Sequence, residues 1–282
     1  MEFSNLLGIL SALTSAALFG GGDFSGGLAT RRNNPFQVIV LSGISSIAIM
    51  AALMVFNDES FPTLHNALWA ASAGTSGALG LALLYRALAI GNTAVVSPTA
   101  SVVGTILPVL FGIATEGLPS PVQTAGFLVA VLGIWLAAQT PATSRSTHAQ
   151  KSLVFAVLAG IGFGGFYILI TRVQSEAIFA PLIIARTAGA AIALVLMLSK
   201  RLPLPSPKSN PIALLAGALD VSANAFYLIA THAIRLDVAV VLSSLSPVVT
   251  VLLASRILKE EVSWKQWVGV ILCLTAIDFI TL

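Results

Sequence analysis

Four polar side chains share a single apolar stretch of the chain, residues 211–233. They are Asp220, Asn224, Tyr227 and Thr231, at spacings of four, three and four residues. In an α-helix these spacings place all four side chains on one narrow stripe of the surface. The stretch is long enough to cross a bilayer, so the stripe predicts either the lining of a water-filled pathway or a set of hydrogen bonds between helices. We interpret Asp220 as the central charged group of such a pathway.

Three other ionisable residues, Asp23, Arg86 and Arg186, also lie within apolar stretches. A charge at membrane depth is costly unless it is paired, hydrated or neutralised. For Asp23 and Arg86, a structural ion pair and contact with a substrate both stay open, and Arg186 is either a scaffold anchor or a pathway residue. Asp23 also follows three glycines, and the spacing of Gly22 and Gly26 predicts a close contact with another helix.

Proline supplies polar backbone at three places within the apolar stretches. Pro98, Pro108 and Pro247 cannot donate a backbone hydrogen bond, so each frees a carbonyl one turn earlier. We predict a helix break at each of the three, with a freed carbonyl facing protein or a cavity. A kink that serves only the shape of the helix is the alternative.

The sequence offers no grouping typical of an enzyme. No Ser-His-Asp set converges at one depth, so no catalytic residue is predicted. The single cysteine, Cys273, and the three scattered histidines predict no metal site. The glycine-rich stretch around Asp23 lacks the third glycine of a phosphate-binding loop and follows no strand signal, so no cofactor is predicted either.

The composition is that of an integral membrane protein. Hydrophobic residues make up 57% of the chain and charged residues 9%, against about 25% charged in an ordinary soluble domain. The formal net charge of +3 gives no indication of a nucleic-acid partner. The expected fold is all-α, a single transmembrane domain of ten helices in the lipid bilayer. The predicted spans cover residues 6–29, 35–56, 66–90, 94–115, 121–139, 151–171, 179–199, 211–233, 238–257 and 264–281.

The two halves of the chain resemble each other. They are residues 1–139 and 151–282, separated by a linker rich in Ser, Thr and Ala at 140–150. Short motifs recur in the same order about 144 residues apart: Phe19-Gly20-Gly21 with Phe163-Gly164-Gly165, Ala94-Val95-Val96 with Ala239-Val240-Val241, and Glu116 with Glu261. Because each half has an odd number of spans, the second must be inverted in the membrane. Two inverted five-helix repeats are typical of secondary transporters, whose binding site lies where the repeats meet.

These residues carry a resemblance to a known family. The ten spans, the segment Ser246-Pro247-Val248-Val249 and the closing Lys259-Glu260-Glu261-Val262 resemble the EamA family of the drug/metabolite transporter superfamily. Arg186 is similar to an arginine common in the second span of a family repeat. The resemblance implies a multi-pass protein of the cell (inner) membrane that transports an amino acid or a related metabolite, with export as the expected direction.

Basic residues are distributed unevenly between the two sides of the membrane. We call the side that holds the N-terminus side A and the other side B. Side A loops contain only Arg172 and Arg235, whereas the remaining ten loop residues, on side B, are Arg31, Arg32, Arg145, Lys151, Lys200, Arg201, Lys208, Arg256, Lys259 and Lys265. The positive-inside rule then predicts that side B is cytoplasmic and that both termini are outside the cytoplasm.

The sequence therefore predicts a transporter that moves a small polar or amphipathic metabolite by alternating access through a central cavity. A proton is the candidate coupling ion, and the protein is expected to be a monomer or a homodimer. The alternative from another class is a membrane component without soluble cargo, such as a subunit of a lipid-linked-sugar flippase. That alternative requires a basic lateral groove, whereas the stripe at 211–233 is acidic.

Overall fold

A computed structural model describes residues 3–30, 33–90, 93–139, 149–174, 177–259 and 261–281. Residues 140–148 of the predicted linker and the predicted cytoplasmic residues Arg31, Arg32 and Arg145 lie outside the described residues, while the last two linker residues begin a helix. The described chain is helical, with no strand in it. Its helices are α1 (Phe3–Thr30), α2 (Pro35–Phe56), α3 (Leu64–Ile90), α4 (Thr93–Glu116), α5 (Pro121–Ala137), α6 (Ala149–Ile170), α7 (Phe179–Ser199), α8 (Pro211–Ala233), α9 (Leu236–Ser243), α10 (Ser246–Ile257) and α11 (Trp264–Thr281).

The ten spans predicted from the sequence are confirmed. Each predicted boundary lies within three residues of the corresponding helix end, and the ninth span consists of α9 followed by α10. Within the described ranges, nine segments are long and apolar enough to cross a membrane, with α9 and α10 counted as the single segment Leu236–Ile257. The tenth, α5, is apolar but has only 17 residues.

Local sequence signals explain where several helices begin. Asn34 caps α2 by accepting from the backbone nitrogen of Phe36, while the Gln37 side chain accepts from the backbone nitrogen of Asn34. Ser120 and Gln123 form the same reciprocal arrangement at the start of α5. These capping boxes satisfy backbone donors that have no partner within the helix.

The prediction of a helix break holds at Pro247 and is wrong at Pro98 and Pro108. Helix α4 continues through both of its prolines, because the loss of one backbone hydrogen bond bends a long helix without ending it when neighbouring helices support it. Pro247 instead lies in the first turn of α10, after α9 has ended at Ser243. Proline is favoured there, since the first helical turn has no intrahelical partner for its backbone donors.

Helices from the two halves pack against one another more than against their own half. Helix α1 packs on α8 and α10, and in the same way α6 packs on α3 and α4. Helix α2 packs on α7 and α8, α3 also packs on α7, and α5 packs on α11. The space between these crossed pairs is where the candidate site lies.

The predicted close contact at Gly22 and Gly26 is confirmed, and its partner is α8. A Cβ atom placed on Gly22 would lie 3.4 Å from the backbone nitrogen of Asp220, and one on Gly26 would lie 3.9 Å from the Cβ of Ala216. Gly20 is packed more tightly, with the carbonyl oxygen of Ser246 only 2.6 Å from such a Cβ. The glycine-rich segment therefore lets α1 approach α8 and α10.

Candidate functional site

A cavity of about 930 Å³ lies between the two halves. Its walls are formed by α1, α2, α3, α4, α6, α7, α8 and α10, while α5 and α11 contribute residues at one end. This end includes Gln139 after α5, Glu261 after α10 and Gln266 in the first turn of α11. All three belong to side B, so the cavity extends from that side into the centre of the bundle.

An ion pair lies at the inner part of the cavity. The guanidinium Nη2 of Arg186, on α7, contacts the carboxylate Oδ2 of Asp220, on α8, and both residues line the cavity. Their side chains are 26% and 34% exposed, respectively, so each charge is partly hydrated by the cavity and partly covered by protein. The pair explains how two charges persist at this depth, where an isolated charge is costly.

Asn224 lies one turn beyond Asp220 and also lines the cavity. Its Nδ2 donates to the backbone oxygen of Asp220 at 2.7 Å. The residue is only 1% exposed, and its Oδ1 has no hydrogen-bond partner in the structure. An unpartnered buried acceptor is unusual in a folded protein and indicates a position where a donor can be supplied by a bound molecule.

Asp23 faces the same cavity from α1. Asp23 is an exposed residue, and Asp220 and Ser246 line the cavity with it. Of the two alternatives that the sequence left open for Asp23 and Arg86, the ion pair between them is not formed in the structure. Arg86 lies near the side B end of α3, is exposed, and is not among the described residues that line the cavity.

Aromatic side chains close the inner end of the cavity. The ring of Tyr167 meets the rings of Phe19, Phe166 and Tyr227 edge to face, with centroid distances of 6.3, 5.7 and 4.9 Å. Tyr227 is fully buried, and its hydroxyl donates to the backbone oxygen of Tyr167 at 3.4 Å. Tyr227 was predicted to line a pathway, but here it belongs to the packed layer behind the cavity.

A second, smaller cavity of about 200 Å³ lies on side A. It is lined by Thr231 and His232 from the end of α8, by Glu116 from the end of α4 and by Arg172 after α6. Arg172 stacks over the ring of Phe111, 4.7 Å from the centroid. The predicted stripe on α8 is therefore divided, with Asp220 and Asn224 in one cavity, Thr231 in the other and Tyr227 buried between them.

A polar cluster joins α4 to α9 beside this small cavity. The Nε and Nη2 atoms of Arg235 donate to the two carboxylate oxygens of Asp237 at 3.1 and 2.7 Å, and the hydrogen bond to Asp237 raises the pKa of the Arg235 guanidinium. Arg235 also donates to the backbone oxygens of Glu116 and Gly117, while the Glu116 carboxylate accepts from the backbone nitrogen of Leu236. These contacts join the end of α4 to the start of α9 at the side A end of the bundle.

Two residues of the main cavity were missed by the sequence analysis. Tyr167 and Ser246 both line the cavity together with the charged groups. A signal for Tyr167 existed, because it lies 144 residues after Asp23 and so occupies the corresponding place in the second half. Ser246 was quoted only as part of a motif, and its role depends on the break between α9 and α10. Among the described residues, no group of three or more His, Cys, Asp or Glu side chains could hold a metal ion.

The apolar helices and the polar cavity between them are those of a multi-pass membrane protein. Residues 150–282 match the model of the EamA-like transporter family. The match covers a little under half of the chain, and it is a similarity of this segment to the family.

The fold has a counterpart among solved proteins. One crystal structure superposes with a TM-score of 0.78 and 17% sequence identity, covering 96% of this chain and 95% of the other. At that identity the similarity concerns the fold alone. A comparison with curated protein sequences found no match.

Proposed function

We propose that this protein is a secondary transporter that moves a small polar or amphipathic metabolite across the cell membrane by alternating access. The observation that carries the proposal is the position of the main cavity. It extends from side B to the Arg186–Asp220 ion pair, and a packed aromatic layer separates it from the small cavity on side A. A site reached from one side and closed on the other is the arrangement that alternating access requires.

Packing between the halves supports two inverted five-helix repeats, residues 1–139 and 151–282. A Cβ on Gly74 would overlap the backbone of Ala185, where α3 crosses α7, and a Cβ on Gly217 would overlap the backbone of Ser42, where α8 crosses α2. Gly217 lies 143 residues after Gly74, and Ala185 lies 143 residues after Ser42. The same crossing is thus built twice with the halves exchanged, as expected for repeats related by a pseudo-two-fold axis.

The proposed substrate and direction of transport are supported by the similarity of residues 150–282 to the EamA-like transporter family. We propose an amino acid or a related metabolite as cargo, and export from the cytoplasm. Asp220 and Asp23 are the candidate groups for a coupling proton, since both are carboxylates that face the cavity. In this proposal the protein lies in the inner membrane as a monomer or homodimer, with side B cytoplasmic and both termini outside.

A pair of tryptophan substitutions on α3 tests whether the cavity is the transport pathway. Leu81 lines the cavity, whereas Leu79 is 50% exposed and is not among its lining residues. Leu81→Trp should narrow the cavity and stop flux, while Leu79→Trp should leave flux unchanged because the added ring points away from it. Both variants are compared after purification to equal folded yield.

The assay uses vesicles that contain the purified protein and a mixture of the twenty amino acids with aromatic amines. Mass spectrometry of the external medium measures what is released, with protein-free vesicles as the baseline. Release above that baseline by wild type and Leu79→Trp, but not by Leu81→Trp, is the expected result. Equal release from all three proteins would contradict a pathway through this cavity.

A further inference from the structure

The charges around the main cavity are not balanced. Among the described residues that line it, three are acidic, Asp23, Asp220 and Glu261, and one is basic, Arg186. Arg186 is paired with Asp220. This leaves Asp23 in the inner part of the cavity with no basic partner among the described residues.

The surroundings of Asp23 add hydrogen-bond acceptors rather than positive charge. Ser246 and Asp220 line the cavity together with Asp23, and neither carries a positive charge. The Oδ1 of Asn224, an acceptor in a residue that is only 1% exposed, has no donor. A molecule that binds here is therefore offered a negative charge and an unused acceptor, which together suit a protonated amine.

Aromatic rings lie beside the same carboxylate. Phe19 is one helical turn before Asp23 on α1, so both side chains lie on the same face. Tyr167 interacts electrostatically with Asp23 and meets the ring of Phe19 edge to face at 6.3 Å. An aromatic face attracts a cation within about 6 Å of its centroid, so these rings reinforce the charge preference of Asp23 and accommodate an apolar body.

We infer that the cavity selects an organic cation, a small amine with an apolar or aromatic body, and that Asp23 is the residue that determines this preference. The inference rests on the proposed function, in which the cavity is the substrate site, and it narrows the cargo to amines related to amino acids and disfavours the amino acids themselves. A carboxylate on the ligand is disfavoured because Asp220 already neutralises the charge of Arg186, although the Arg186 Nε has no hydrogen-bond partner in the structure. A bound anion would also face Asp23 at close range.

Four probes of nearly equal size separate the effect of charge from that of shape. Phenethylamine carries one positive charge, phenylalanine is a zwitterion, phenylacetate is an anion and phenethyl alcohol is neutral. Binding to the purified wild-type protein in detergent at neutral pH is measured by titration calorimetry. Phenethylamine should bind about ten- to a hundredfold more tightly than phenethyl alcohol, the range expected when a partly hydrated charge pair is removed. Phenylacetate should bind most weakly.

Three variants assign the preference to one residue. In Asp23→Asn the difference between phenethylamine and phenethyl alcohol should disappear, and in Asp23→Glu, which keeps the charge, it should persist. The control is Asp278→Asn, which removes an exposed carboxylate of α11 that is not among the cavity-lining residues. This control should bind like the wild type. Size-exclusion chromatography of each variant shows that the binding data come from folded protein.

Several results would overturn the inference. These are phenylalanine or phenylacetate binding as tightly as the amine, an amine preference that survives in Asp23→Asn, or no saturable binding of phenethylamine to the folded wild type. If Asp23→Asn does not fold, the binding of the four probes to the wild-type protein still tests the charge preference. Failure of the proposed function has a different signature, since an amine that binds through Asp23 but is never released from vesicles would contradict transport and leave the charge preference intact.

Discussion

The ion pair between Arg186 and Asp220 gives the most quantitative prediction. Removing one partner of a fully buried pair typically costs about 3–5 kcal/mol, whereas an exposed pair contributes about 0–1 kcal/mol. The two side chains are 26% and 34% exposed, which places the pair between these limits. We expect Asp220→Asn to lower the free energy of unfolding by about 2–3 kcal/mol, because the arginine that remains cannot lose its charge.

The reverse substitution should cost less. In Arg186→Gln the remaining Asp220 carboxylate can take up a proton from the water-filled cavity, so a loss of about 1–2 kcal/mol is expected. The double variant removes both charges and leaves two amides that can hydrogen-bond to each other. Its loss should be smaller than the sum of the two single losses by about 1–2 kcal/mol, which is the coupling energy of the pair.

Thermal unfolding of the purified proteins in detergent measures this cycle. For a chain of this size about 1 kcal/mol corresponds to roughly 2–4 °C, so Asp220→Asn should lower the Tm by roughly 5–10 °C. The control is Asp278→Asn, which changes an exposed acid outside the pair and should leave the Tm nearly unchanged. Additive losses in the double variant, or single variants that melt like the wild type, would refute the assignment of the pair.

Two further predictions concern packing and orientation. Gly217→Ala should lower the free energy of unfolding by about 1–3 kcal/mol, because its Cβ would overlap the backbone of Ser42. Gly27→Ala should be neutral or slightly stabilising, because a Cβ there would have no atom within 4 Å. Thermal unfolding distinguishes the two variants, and equal Tm values would contradict the packing argument. A C-terminal fusion to a reporter that is fluorescent only in the cytoplasm should be dark, because ten basic loop residues lie on side B and two on side A; bright cells would reverse the orientation.

Hydropathy predicted the spans well because the physics that defines them is local. A segment of about 20 apolar residues between prolines, glycines and charges has to cross the membrane as a helix. Pro35, Pro121 and Pro211 each begin a helix at the residue where the predicted span starts. Proline within a helix was harder, since its effect depends on the supporting neighbours. Helix α4 continues through its two prolines, whereas Pro247 lies in the first turn of a new helix.

The partner of Asp220 could not be predicted from local pattern. Arg186 lies 34 residues earlier, and which carboxylate it meets depends on how α7 and α8 are rotated around the cavity. Depth alone was informative, because helical rise places Arg186 about 10 Å from side A and Asp220 about 14 Å from side B, which in a core of about 30 Å leaves roughly 6 Å between their levels. The same estimate from helical rise places Asp23 and Arg86 at similar depths, but Asp23 lines the main cavity and Arg86 is not among its described lining residues.

The stripe on α8 shows a related limit. The spacing of its four polar residues correctly placed them on one face, but a face does not have one environment along its whole length. Asp220 and Asn224 face the main cavity, Tyr227 is covered by Tyr167, and Thr231 reaches the small cavity on side A. Periodicity gives the direction of a side chain, whereas the extent of a cavity depends on all the helices that surround it.

The distribution of charge between the halves bears on the mechanism. Crossing points such as Gly74 and Gly217 recur in both halves, but the charged groups do not. Ser76 lies at the place in α3 that corresponds to Asp220 at an offset of 144 residues, Tyr167 lies at the place in α6 that corresponds to Asp23, and α2, which corresponds to α7, has no charged residue. In the proposed arrangement, two repeats related by a pseudo-two-fold axis can interconvert between two equivalent openings, while an unduplicated set of charges forms only one site. That combination favours one central site exposed in turn to each side over two sites in series or an open channel.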